Sequence, residues 1–173
     1  MQCLYLTGFM GSGKTTIGKI VGELLSVEVV DTDQWIEEQE QTTIAEIFKE
    51  KGEAYFRQLE SQVLHSVTKR NRLVTTGGGI VIKEENRQFM KENGIVIFLD
   101  CSVEETLNRL KNDTTRPLLA TDKEQQIQTL FTSRYPWYEE AHITVDTTGK
   151  AINEVATEVV TRINKILEGE TAL

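Results

Sequence analysis

Proline and cysteine are scarce in this chain, two of each among 173 residues, and no internal repeat or low-complexity tract occurs. With 39% hydrophobic and 27% charged residues the composition is that of an ordinary globular protein, which excludes a fibrous or disordered chain. Cys3 and Cys101 lie far apart, each in an apolar run, so buried thiols and a reducing compartment are expected rather than a disulfide or a metal pair. Nowhere do about 18 apolar residues follow one another, and Met1 leads into a short apolar stretch with no basic leader. Neither secretion nor a membrane partner is expected, and the expected location is the cytoplasm. Basic charge is short as well: a net charge of -8 argues against a nucleic-acid partner, since phosphate-backbone binding needs a basic face. A small anionic ligand stays open, because Lys14, Arg57, Arg109, Arg116 and Arg134 can converge locally.

What is present is enough for one domain spanning residues 1–173, long enough to bury about 70% of the surface its unfolded form exposes. Apolar runs of strand length recur at 3–7, 27–31, 73–76, 95–100 and 143–146, with helical periodicity between them. Phe56, Leu59, Val63 and Val67 form one apolar stripe; Ile152, Val155, Ala156, Val159, Ile163 and Ile166 form another. Alternating strands and helices call for an α/β fold, a mostly parallel sheet with helices on both faces and ligands beyond the carboxyl ends of its strands. The stretch "KNDTTRPLLATDK" carries no helical stripe and reads as a mobile flap or a plain surface loop.

Gly8-Phe9-Met10-Gly11-Ser12-Gly13-Lys14-Thr15 matches the phosphate-binding pattern G-x-x-x-x-G-K-[ST] at every fixed position, after a strand and before a helix. Glycines let the backbone wrap closely, so that the N–H groups of Gly11, Ser12, Gly13, Lys14, Thr15 and Thr16 can face an anion at a helix N-terminus. Lys14 supplies a point charge for the β- and γ-phosphates, and Thr15 a hydroxyl for Mg²⁺. This establishes a nucleoside triphosphate as ligand and leaves kinase, switch and motor open. A guanine reader is disfavoured because Asn164-Lys165 is followed by Ile166 and Leu167, and a motor lacks a second body.

The acceptor must be read elsewhere. In "VVDTDQW", Asp31 and Asp33 stand two apart at a strand end, Asp31 near the metal site and Asp33 within reach of an acceptor hydroxyl; the alternative, compatible with catalysis, is that Asp31 or Thr32 caps the next helix. Arg57 stands beside an apolar stripe and could simply pair with Glu53. Gly77, Gly78 and Gly79 cost backbone entropy and imply an odd turn or a close approach, here read as a ligand's. Arg116 in "RPLL" and Arg134, near the end of a helix interrupted at Pro136, suit planar recognition of carboxylate or phosphate.

Taken together, "GFMGSGKTT", "DTD", "FRQLE", "GGG", "RPLL" and "RYPWY" resemble shikimate kinases, in this order and over almost the whole chain. The resemblance implies a single-domain P-loop fold of the nucleoside-monophosphate-kinase type. Its parts are a five-stranded parallel sheet flanked by helices, a substrate-binding helical region at about 32–60 and a mobile lid at about 112–122. It implies the use of ATP and Mg²⁺ to phosphorylate the 3-hydroxyl of shikimate; a monomer is expected. By the same analogy Arg57 and Arg134 hold the acceptor carboxylate, and Asp33, Gly78 and Gly79 meet its ring hydroxyls. Arg116 folds over the phosphates, and Arg109 lies near the adenine. Asp31 is preferred over Asp100, which ends "IVIFLD", as the acidic partner of the metal. The rival readings are a gluconate kinase of the same fold and a non-catalytic ATP sensor, and Lys150 is a weak candidate for the adenine side.

Overall fold

A parallel sheet needs both faces covered, and its strands then read as near-continuous apolar runs. The strands are β1 (Cys3–Thr7), β2 (Glu28–Asp31), β3 (Arg72–Thr75), β4 (Gly94–Asp100) and β5 (Ile143–Asp146). In the computed structural model, which describes residues 1–111 and 123–169, they form one sheet in the order β2-β3-β1-β4-β5, every neighbouring pair parallel. The five-stranded parallel sheet is as expected, with bounds shifted by a residue at β2, β3 and β4. Around it lie α1 (Lys14–Leu25), α2 (Thr32–Glu40), α3 (Ile44–Val67), α4 (Glu84–Asn93), α5 (Val103–Lys111), α6 (Lys123–Tyr138) and α7 (Ile152–Leu167). The expected lid at 112–122, with Arg116, falls outside the described residues.

Alternation along each strand divides the core in two. Cys3 and Tyr5 of β1, with Val96 and Phe98 of β4, face a layer containing Phe56, Val63 and Val67 of α3 and Met90 of α4. Leu4 and Leu6, with Ile95, Ile97 and Leu99, face the opposite layer, built from Ile17 and Val21 of α1 and Val155, Val159 and Ile163 of α7. In the α3 stripe Phe56, Val63 and Val67 are buried and Leu59 is partly buried against them. The α7 stripe starts one turn later than expected, because Ile152 is the helix's first residue and is 48% exposed.

Pro136 does not interrupt α6, which continues to Tyr138. A proline this near the end of a helix forfeits only one bond of the last turn, and the Glu139 N–H still reaches the Tyr135 carbonyl at 3.1 Å. The helix therefore carries Arg134 and Tyr138 on one continuous scaffold against the end of the sheet. Strand order reverses about β1: the chain leaves it for β2 on one side and later crosses to β4 on the other. The carboxyl end of β1 is thus the crevice where such folds take ligands.

Candidate functional site

The loop from Gly8 to Gly13 joins β1 to α1 through backbone angles that favour glycine, with φ of +77° at Gly11 and +90° at Gly13. Gly13 is the N-cap of α1 and makes no side-chain cap bond, so the first N–H groups of the helix are presented to a ligand. Lys14 Nζ donates to the carbonyls of Gly8 (2.8 Å) and Phe9 (2.9 Å), which places its charge across the loop's mouth. The Ser12 side chain is fully buried, and its N–H donates to the Phe9 carbonyl at 3.2 Å.

Beside this loop, Asp31 caps the helix that follows and also stands next to the Thr15 hydroxyl. As N-cap of α2 its Oδ1 accepts from the N–H groups of Asp33 (3.0 Å) and Gln34 (3.3 Å). Its Oδ2 accepts from Thr15 Oγ1 (3.1 Å) and from Thr75 Oγ1 (2.9 Å), the residue paired with it across the β2–β3 register. Met10, Gly11, Gly13, Lys14, Thr15, Thr16, Asp31, Asp33, Thr76 and Gly78 line one cleft. Donor and acceptor residues read separately from the sequence are thereby brought together.

Arg57 makes the expected pair with Glu53 (3.0 Å), and a second with Glu60, whose carboxylate is 1% exposed. Arg134 approaches the same place from α6, acting electrostatically on both Glu60 and Tyr138. The Tyr138 hydroxyl, held protonated by burial, donates to the Gly78 carbonyl and so fastens α6 to the glycine run. The glycine run has a cause in the protein itself, besides any ligand. A Cβ on Gly79 would collide with the Arg57 guanidinium, and one on Gly77 with Asp33 Oδ1 and Glu60 Oε1. Gly79→Ala is expected to leave the fold intact, since the colliding atoms end a flexible side chain, and to displace Arg57. Affinity for an anionic acceptor should fall about tenfold or more, with nucleotide affinity little changed, as titration calorimetry would measure. Equal loss for both ligands would argue against this packing role.

Arg109 donates from Nη1 to the Gly11 carbonyl (3.1 Å) and pairs with Glu105 (3.0 Å), which fixes it against the phosphate loop. Asp100 takes no part in that cleft. Its carboxylate accepts from the Tyr135 hydroxyl at 3.0 Å, and burial followed by this bond pushes Tyr135 up to about 12. Asp31, rather than Asp100, is the acid beside Thr15. Lys150 pairs with Glu158 at 2.9 Å. The sequence reading gave no role to Glu60, Thr75 or Tyr138. For Glu60 a signal existed: it stands four residues after Phe56 and three before Val63, an acid inside an apolar stripe.

The family model described as shikimate kinase matches residues 10–164 of the chain. A shikimate kinase of Bacillus anthracis is 48% identical over 165 residues, 95% of this chain and all of that protein. Among solved structures, the shikimate kinase of Acinetobacter baumannii in complex with shikimate superposes with a TM-score of 0.90 at 38% identity, covering 99% of this chain and 96% of that one. A gluconokinase of Sinorhizobium meliloti reaches a TM-score of 0.61 at 15% identity, over 97% and 94% of the two chains, which shows a shared fold alone.

Proposed function

The chain belongs to the shikimate kinase family, and on that premise we propose that the cleft at the ends of β1 and β2 is where its two substrates meet. The reaction is transfer of the γ-phosphoryl group of ATP to the 3-hydroxyl of shikimate, giving shikimate 3-phosphate and ADP, a step toward chorismate and the aromatic amino acids. The observation that carries the site assignment is the convergence of Lys14, Thr15, Asp31, Asp33 and Gly78 on one cleft.

Phosphoryl transfer asks the protein for alignment and charge rather than covalent help. In our reading the backbone from Gly11 to Thr16 cradles the triphosphate, Lys14 neutralises charge on the β- and γ-phosphates, and Arg109 borders the adenine. Arg57 and Arg134 seat the shikimate carboxylate, with Gly78 and Gly79 beneath the ring. The 3-hydroxyl then faces Asp33, which takes or orients its proton as the new O–P bond forms and the bond to ADP breaks. The 32–60 region serves as the acceptor-binding part, and the assignment of Arg116 to the phosphates rests on its motif.

Thr15 Oγ1 and the Asp31 carboxylate, 3.1 Å apart at the cleft, suit a hard cation such as Mg²⁺. Among the described residues no group of three or more His, Cys, Asp or Glu could hold a metal. Such an ion would take its oxygens from Thr15, the phosphates and water, with Asp31 acting through water, its oxygens already engaged by four donors. When bound it would supply charge neutralisation to the phosphates. No helix among the described residues is long and apolar enough to cross a membrane. Two free, buried thiols accord with a reducing cytoplasm, and we take the working form to be a monomer.

A steady-state assay with ATP and shikimate tests the function, with gluconate as the control acceptor. Within it, Arg57→Lys keeps charge but loses the planar fork. The KM for shikimate should rise by about 5- to 100-fold while that for ATP changes little. A nucleotide sensor would have no use for Asp33 or for this arginine pair.

A further inference from the structure

Glu60 and the two arginines assigned to the acceptor carboxylate share one buried charge cluster. The Glu60 side chain lies within the apolar stripe of α3, 1% exposed; its Oε2 accepts from Arg57 Nη1, and its Oε1 has no hydrogen-bond partner among the described residues. Facing it are Arg57 from its own helix, Asp33 from α2, and Arg134 and Tyr138 from α6. Glu53 holds the outer side of Arg57, and the 77–79 turn adds backbone only. Lys83, past that turn, reaches Ser61 Oγ at 3.3 Å. Two guanidinium charges therefore already stand against Glu53, Glu60 and Asp33.

A substrate carboxylate entering this cluster would be one more anion on arginines whose charge is largely answered. Adding it with every carboxylate ionised leaves like charges crowded in a dry site, which is costly. Removing one negative charge resolves the crowding. Glu60 is the group placed to lose it, being the most buried of the three carboxylates. Building on the shikimate kinase reading, we propose that Glu60 takes up a proton as the substrate carboxylate seats on Arg57 and Arg134, so that anion binding and neutralisation of a buried acid are a single event.

The direction of the pH effect follows. Burial, set against the pull of Arg57, already holds the Glu60 carboxyl up at about 7. A further anion nearby raises it again. Below about pH 7 the acid is neutral beforehand and binding needs little uptake. Above it each binding event takes up close to one proton, and by linkage the Kd rises toward tenfold per pH unit until the higher value in the complex is passed. Seen from the proton, Glu60 acts as a positioning residue that releases Arg57 to the substrate.

Titration calorimetry of the full chain with shikimate, in buffers of different ionisation enthalpy, counts the protons. At about pH 8 uptake approaching one proton is expected; at about pH 5.5 it should be near zero, with binding about tenfold tighter. Glu60→Gln should bind shikimate with no uptake and a flat pH profile. A side-chain carboxyl ¹³C resonance of the unaltered chain should also move toward its protonated position when shikimate is added at about pH 8, a readout independent of whether the variant folds. Normal binding without proton uptake, unchanged uptake in folded Glu60→Gln, or a carboxyl spectrum that does not move would each overturn the proposal. Failure of the unaltered chain to bind shikimate at any pH would overturn the substrate reading itself, and the proposal with it.

Discussion

Lys14→Ala is expected to lower turnover at saturating ATP and shikimate by about 10²-fold or more, equivalent to roughly 2.7 kcal/mol of transition-state stabilisation. The ammonium group sits across the mouth of the phosphate loop, bonded to the Gly8 and Phe9 carbonyls at 2.8 and 2.9 Å. Nucleotide phosphates can replace those carbonyls as partners with no large movement of the side chain. Its charge then counts most where negative charge builds up during transfer, in a cleft partly shielded from water. A structural loss accompanies the catalytic one. Each lost bond to a loop carbonyl is worth about 0.5–1.5 kcal/mol, so thermal unfolding must be followed beside kcat to separate the two. A folded Lys14→Ala protein with unaltered kcat would show that this loop is not the catalytic phosphate site.

The donor half of the site was legible because its chemistry is local. One loop between one strand and one helix supplies the backbone groups, Lys14 and Thr15, and the spacing of glycines records the turn. The same holds for the strands, whose apolar runs are set by burial on both faces. The acceptor half depends on contacts between distant segments, and there the residues alone left choices open. Arg57 with Glu53 is a pair any helix could show at i and i-4; its burial against Gly79 and its second bond to Glu60 exist only once β3 brings the glycine run under α3. Likewise the spacing of Asp31 allows both a helix cap and a place beside Thr15, and only the β2–β3 register and the loop show that one carboxylate meets Thr75 and Thr15 as well as the helix N–H groups. Asp100 gave the opposite lesson. A good textual match to a metal-linked acid, it is occupied by Tyr135 because α6 crosses the end of β4. Pro136 suggested an interruption of that helix, yet its position in the last turn made it cheap.

Asp33→Asn should separate chemistry from binding. The substitution keeps the size of the side chain and a carbonyl oxygen, and it removes the charge and the capacity to accept a proton. If Asp33 takes the 3-hydroxyl proton, kcat should fall by about 10²- to 10⁴-fold, the range that a positioned general base contributes. The KM for shikimate should change by less than about tenfold, because on the proposed assignment Arg57 and Arg134 carry the anchoring. The location supports a role at the reacting oxygen: Asp33 lies in the first turn of α2, its N–H fixed by Asp31 and its carboxylate over Gly77, in the cleft that Lys14 and Thr15 also line. One backbone turn thus holds the proposed metal partner and the proposed base two residues apart. A modest fall in kcat, about threefold, with a large rise in KM would make Asp33 an anchor for the ring hydroxyls and leave proton removal to solvent or to the oxygens of the transferring phosphoryl group. Single-turnover measurement on enzyme preloaded with ATP reads the chemical step directly and decides between the two, since a slower step at full occupancy cannot come from weaker binding.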